Sequence, residues 1–546
     1  MFILVSFSFT SKAQQLPKII SDRDTIQTHY LPDFSFAGYH NGERSLPKLQ
    51  GLVLQAEEHG VTANDGKDDS RALVQLMDSV KSLDQAVTIQ LPKGRIILSE
   101  VLYLERGNLV LRGHGSGPGG TEIYCPRPML YFNQPPALKE LREYLEILDK
   151  RQREPKNNID LPFSQYSWSG GLLWTQVPGE RVKSYLEDYD REEPILARAL
   201  EGEIGGTVLK IKDIHGLKTG DVVELQWFNT EGEHGQIIKD LYPLEGLKVG
   251  SHHWNFPNLP LVRQQVEILA VTDSTLTLKS PLTMAVKPYH NARVIPWKHL
   301  KEVGIEHLRF SFPEASYIAH HVERGFNAIY LTRLYNSWVK DVVIDNADSG
   351  ILTEEIANVT IKDIVTIGQS TAHYSVSMSG VHNVLVENLS IHNKVVHPLS
   401  FNTFATKSVY KDCEVFVDPI LDQHSGANHQ NLFDHIKVHL SPDEQNTYPL
   451  FEGGGASYWK PTHGPFSTFW NIYIHLLERP GPLTPVSLYG MKDGPLARIV
   501  GIQCDQPVTV DYGPSCYIEG INSELTIPSL YTFQLQKRLG TPMIKK

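Results

Sequence analysis

Cysteine is scarce in this chain: Cys125, Cys413, Cys504 and Cys516 are all there are in 546 residues, which excludes a disulfide framework as the source of its stability. Cys413 falls within an expected strand and reads as a buried thiol; Cys504 and Cys516 could pair, and the sequence does not decide it. Positive charge is in deficit too. Lys and Arg number 51 against 62 Asp and Glu, a formal net charge of −11, which argues against a nucleic acid as partner because phosphate binding needs a basic surface. The same deficit counts mildly against a polyanion, unless a basic cleft is set in an acidic body. No segment reaches the ~18 consecutive apolar residues that a membrane span needs, so no span is expected.

What the chain does have is histidine, 23 in all, the side chain that titrates near neutrality and most often moves protons in catalysis. It also has a repeat. N-S-W-V-K-D (Asn336 to Asp341), N-V-T-I-K-D (Asn358 to Asp363), N-V-L-V-E-N (Asn383 to Asn388), K-S-V-Y-K-D (Lys407 to Asp412) and H-Q-N-L-F-D (His429 to Asp434) are one pattern, with last residues 22, 25, 24 and 22 positions apart. Short β-branched runs follow the first four. A period of this length with strand-like runs between Asn, Asp and Gly predicts a solenoid of strands, an all-β parallel β-helix whose coils stack to share one core. Asn336, Asn358 and Asn383 then read as turn residues laddered from coil to coil.

The repeat is interrupted in register by T-A-H-Y (Thr371 to Tyr374), V-V-H-P (Val395 to Pro398) and L-D-Q-H-S-G-A-N-H-Q-N (Leu421 to Asn431). His373, His397 and His424 are 24 and 27 residues apart, close to one coil each, so they are expected to stack on one face. A hydrogen-bonded structural ladder is the plain alternative, since solenoids stack like residues freely.

Met1 to Gln15 has the apolar run and small residues of a secretory signal without its basic start, so a secreted or periplasmic protein is expected. V-T-A-N-D-G-K-D-D-S (Val61 to Ser70) ends in a helix N-cap, and Ala72, Leu73, Leu76, Met77 and Val80 follow at helical spacing. I-Q-L-P-K-G (Ile89 to Gly94), a strand at Ile96 to Ser99 and L-V-L-R-G-H-G-S (Leu109 to Ser116) come next. In this order and spacing the segment resembles the opening of the pectate-lyase-like superfamily of right-handed parallel β-helices. The resemblance covers about Val61 to Thr121 and the periodic region from 301 to 440.

That resemblance implies a helix capping one end of the solenoid and a carbohydrate polymer as substrate, in a superfamily that hosts lyases, hydrolases, epimerases and phage tailspikes. The expected organisation is a signal peptide at 1–13, the cap and first coils at 14–135, an inserted helix and irregular β section (an α+β region) walling the groove at 136–300, and regular coils at 301–546. The last part carries a Gly-rich loop at 450–466 and a basic tail frayed from Lys537. A monomer is expected.

Two reactions compete for the groove, whose coils sit about 5 Å apart. The first is β-elimination of a uronate polymer, possible substrates including ulvan or alginate. It needs a base, a group neutralising the carboxylate and an acid for the leaving oxygen. His424 or His397 suits the base, with His373 beside them, and Tyr374 the acid. Arg324, Lys394, Gln423, Asn428, His429 and His463 are candidate substrate contacts, and Trp254 and Trp459 candidate sugar platforms. The second is hydrolysis by paired carboxylates drawn from Asp345, Asp348, Glu354, Glu355, Asp418, Asp422 and Glu452. Calcium binding by Asp345 and Asp348 is a third use of those groups; no other cofactor is implied. The polygalacturonase pattern of paired aspartates followed by G-H-G is absent, and no Lys or Arg base motif of the calcium-dependent members is matched. A non-catalytic carbohydrate-binding β-helix also fits the aromatic and amide content.

Overall fold

Each repeat is a strand bent twice. In Leu334–Asp345 and Ile356–Ile367 the first and last residues of the pattern have positive φ: Asn336 (47°) and Asp341 (53°), then Asn358 (52°) and Asp363 (58°). Asn383 and Asn388, then Lys407 and Asp412, repeat the pair. A left-handed backbone costs an ordinary L-residue roughly 1–2 kcal/mol, and Asn and Asp bear it best. That cost is the physical origin of the repeat. Parallel pairing places these residues in register from coil to coil.

The resulting right-handed parallel β-helix is the fold of the chain, mostly strand with few helices. The computed structural model describes residues 16–21, 30–48, 51–132, 135–152, 162–181, 193–230, 232, 235–243, 249–250, 259–424, 426–455, 460–478, 484–490 and 494–540. The proposed signal segment lies outside them.

Two features depart from the sequence reading. The fifth repeat is shifted by one: Gln430 (55°) and His435 (58°) take the bends, because Lys411 pairs with Asp434. Asp434 instead accepts bonds from Ser529 Oγ, Leu530 N and Tyr531 N at the start of the helix Leu530–Leu539. The bends also continue where the letters do not repeat. Glu302 and His307 precede them; Phe466 and Asn471, Leu496 and Gly501, and Ser515 and Gly520 follow, all held in register by the strand pairing.

The core is built from stacked columns. Ile305, Val339, Ile361, Val386, Tyr410, Phe433, Phe469 and Ile499 sit one above another and are fully enclosed. The aromatic end of that column is face-stacked, Phe433 to Phe469 at 5.2 Å. The helix Ser70–Val80 buries Leu73, Leu76, Met77 and Val80 in the same core. Outside the solenoid, Phe34 and Ala37 near the start of the chain and Leu530 and Tyr531 from the last helix cover Leu385, Val409, Leu432, Trp470 and Val500. Arg538 bonds the carbonyls of Ser35 and Asn41, so the helix is tied down past Lys537 rather than frayed from it.

Between Ala197 and Pro296, six strands close into an antiparallel barrel, a unit that the sequence shows only as an irregular β section. Arg263 of the barrel lies 3.5 Å from Glu355 of the solenoid, which also pairs with Arg333 at 2.8 Å. The four cysteines are free thiols, Cys504 and Cys516 included. Among the described residues, no helix is long and apolar enough to cross a membrane.

Candidate functional site

A second face of the solenoid is a seven-stranded parallel sheet that includes, in spatial order, Leu421–Gln423, Val395–Phe401, Ala372–Met378, Ser349–Glu354 and Asn327–Thr332. The segment from Phe312 to Phe326 lies over it. Asp348 Oδ2 accepts the N–H groups of Gly325 and Phe326, both at 2.9 Å, and Ala315 and Ser370 bond reciprocally. Phe163 and Trp168 pack on His321 from outside. His321 has φ +72°, a strained conformation of the kind that clusters at functional sites.

This cover adds His320, His321 and Glu323 to the residues of the sheet. His320 Nε2 lies 3.0 Å from His373 Nε2 and 3.4 Å from His397 Nε2. His373 Nδ1 is 3.2 Å from Glu323 Oε1 without the alignment of a hydrogen bond. Asp422 Oδ2 faces His424 Nδ1 at 2.9 Å and His397 Nδ1 at 3.5 Å, and accepts from Ser400 Oγ at 2.5 Å. The rings of His397 and His424 meet edge to face at 4.3 Å. Tyr374 stacks under His373 at 4.1 Å and lies 5.2 Å from His397.

Thus the three predicted histidines come together, but not as one column. Tyr374 is the residue in register with His397, and His424 lies beyond the end of the adjoining strand, bridged to Gly454. Side chains from different positions converge because the cover gathers them. His373, Tyr374, His397, Asp422 and His424 are all buried, whereas His320 and His321 remain partly exposed.

Burial governs the electrostatics. It holds His373 well below the usual imidazole value, with the neighbouring His397 and His424 adding to the effect; it also lowers His397 and His320, and brings His321 to about 3. Burial alone would raise Asp422, yet His424 and His397 hold it well below the ordinary carboxylate range. Tyr374 is pushed well above its usual value by burial, then by Asp422. At neutral pH His320, His321, His373 and His397 are therefore neutral imidazoles, beside an ionised Asp422 and an un-ionised Tyr374.

Several other predicted contacts have partners within the fold. Gln423 is enclosed between Tyr512 OH and Ser467 Oγ. Asn428 bonds the Thr462 carbonyl at 2.8 Å. His429, brought to about 3 by burial, pairs with Gln430 Nε2 at 3.1 Å, and His463 bonds Tyr512 OH at 2.5 Å. All four are buried in this structure. Lys394 is exposed and paired with Asp418 at 2.9 Å; Arg324 is exposed on the cover beside Glu323. Trp254 and Trp459 lie outside the described residues.

Four of the candidate carboxylates, the two candidate calcium ligands among them, are engaged or buried within the fold. Asp345 is paired with Arg309 at 2.5 Å, Asp348 anchors the cover, and Glu354 and Glu355 are buried, the latter between Arg263 and Arg333. Among the described residues, the His, Cys, Asp and Glu groups close enough to share one metal ion are His320, His373 and His397, and next to them His397, Asp422 and His424. Neither set includes Asp345 or Asp348. His320, His321 and Glu323 were not singled out from the sequence; the signal available was the H-H-V-E stretch between two coils.

No family model and no curated protein matches the chain. Solved structures similar in fold include the tailspike protein gp49 from Pseudomonas phage LKA1 (12% identity, 86% of this chain and 81% of that one, TM-score 0.45). The gp54 tailspike of Acinetobacter baumannii bacteriophage AP22, in complex with A. baumannii capsular saccharide, aligns at 11% identity over 85% and 70%, TM-score 0.40. DFA-IIIase from Arthrobacter chlorophenolicus A6 without its lid aligns at 11% identity over 86% and 94%, TM-score 0.37. These likenesses describe the course of the backbone alone.

Proposed function

We propose that this protein is an exported polysaccharide lyase of the pectate-lyase-like type, which cleaves a uronate-containing polymer by β-elimination at the imidazole cluster. The observation that carries this reading is the cluster itself: imidazoles gathered at one sheet of the solenoid, two of them facing Asp422. Asp422 accepts from His424 Nδ1, which leaves Nε2 with the lone pair of a base. His424 takes the C5 proton of the uronate, the released electron pair forms the C4–C5 double bond, and the C4–O bond breaks. Tyr374, kept protonated by its burial, gives its proton to the departing oxygen. Arg324 on the cover is the cation that neutralises the uronate carboxylate and makes the C5 proton acidic. Since His424 and Tyr374 are both enclosed, productive binding requires the 312–326 segment to move away from the sheet.

The test is incubation with a panel of uronate polymers, ulvan and alginate among them, following the ultraviolet absorbance of the unsaturated product. Absorbance rising with new reducing ends supports elimination. Reducing ends without absorbance would replace it with hydrolysis, for which Glu323 and Asp422 flanking the imidazoles are the available carboxylates. Saccharide binding with neither signal would leave a binding module.

A further inference from the structure

The convergence of three Nε2 atoms is not explained by hydrogen bonding. A ring nitrogen has one in-plane bonding direction, filled either by a hydrogen or by a lone pair. His320 Nε2 nevertheless faces two others, at 3.0 and 3.4 Å. His373 and His397 each turn Nδ1 toward a carboxylate, Glu323 and Asp422 respectively. Placing their hydrogens on Nδ1 is the assignment those carboxylates favour, and it aims two Nε2 lone pairs at one point. A single N–H from His320 cannot satisfy both with good geometry.

We propose that His320, His373 and His397 bind one divalent transition-metal ion, of which zinc is the representative, through their Nε2 atoms. Metal–imidazole bonds of about 2.0–2.1 Å separate neighbouring ligand nitrogens by about 3.0 Å at a right angle and about 3.4 Å at the tetrahedral angle. The two spacings to His320 Nε2 match edges of such a polyhedron, and the three residues' ligand atoms all lie within 4.8 Å of one another. Carboxylates are the usual outer partners of metal-bound histidines; here Glu323 lies 3.2 Å from His373 Nδ1 and Asp422 3.5 Å from His397 Nδ1. Imidazole ligands select against calcium and magnesium, which take oxygen. Three protein ligands leave a coordination position open, the pattern of catalytic rather than structural sites.

The site is also conditional. Two of its ligands belong to the sheet and the third to the cover, so the ion would join the 312–326 segment to the solenoid. Neither point depends on which polymer is cleaved or by what reaction.

The experiment uses the full chain, purified without a histidine tag, stripped with chelator and reloaded with Zn(II) or Co(II) alone. Elemental analysis should give about one ion per chain, and the cobalt form should show intense visible d–d bands that a large excess of calcium does not remove. His320→Ala, a change at a partly exposed residue of the cover, should lose the bands and the stoichiometric ion. His439→Ala, at a histidine paired to Glu414 on another face, should keep both. X-ray absorption on the zinc-loaded wild type, counting imidazole nitrogens, supplies a readout independent of any variant's folding. Failure of the wild type to hold an ion after loading, or identical cobalt spectra from wild type and His320→Ala, would overturn the proposal. Because no substrate is present, that result is distinguishable from failure of the lyase reading.

Discussion

Asp422 is the residue on which the proposed chemistry turns, since one buried carboxylate orients both His397 and His424 and is itself fixed by Ser400. Removing His424 takes away the proposed base. His424→Ala is expected to lower kcat by about 10²–10⁴-fold while costing about 1–3 kcal/mol of stability, because Asp422 loses a charge-assisted partner in a buried position. Steady-state kinetics beside thermal unfolding checks the split; a loss of stability large enough to account for the lost activity would mark His424 as structural. A different buried carboxylate gives a pH prediction. Glu224, in the barrel, is raised to about 7 by burial and then by Glu355. Its folded pKa lies above its ordinary 4.5, so protonation stabilises the folded state fully below 4.5, and that contribution is lost as pH rises toward 7. Glu224→Gln should therefore match the wild type near pH 4 and exceed it at pH 8, by an amount of order 1–3 kcal/mol. Denaturant unfolding at the two pH values measures the difference, and equal gaps at both would refute it. His373, His397 and His424 were legible in the sequence because they fall near the coil period. His320, His321 and Glu323 were not, because the segment that brings them is non-repetitive and its placement depends on anchors distant in the chain.

The strand bends and the cover are the elements that create this arrangement. Asn388 is exposed with φ +59°, and its Nδ2 donates to Asp363 Oδ1 at 2.7 Å; Val and Gly both lose that bond, so the difference between them reads the backbone term. Asn388→Val should destabilise by about 1–2 kcal/mol and Asn388→Gly by much less, as read from urea midpoints; equal costs would remove left-handed geometry as the origin of the Asn and Asp repeat. Asp348 holds the cover through two N–H groups, so Asp348→Ala should loosen the 312–326 segment. Faster proteolytic cleavage there, with the rest of the solenoid resistant, is the expected result. These bends also show how far sequence can be read at this scale. Where Asn and Asp occupy them the repeat is visible; where Glu302, Phe466, Leu496 or Ser515 do, pairing with neighbouring coils imposes the conformation and the letters conceal it. The same pairing set the fifth repeat one residue later than its letters suggested.

At the scale of the whole molecule, the solenoid was legible because stacking imposes a period on the chain, whereas the barrel imposes none. Its six strands read only as an irregular β section, and its attachment through Arg263, Glu355 and Arg333 joins residues far apart in sequence. Cover and sheet together enclose a histidine site that a bare solenoid would leave open. The reaction assigned to that site is decided by the chemistry of the cut end. Nuclear magnetic resonance of oligosaccharides released from a uronate polymer should show the vinyl proton of a C4–C5 unsaturated sugar at each new non-reducing end, absent when His424→Ala replaces the wild type. Saturated non-reducing ends from the wild type would contradict elimination.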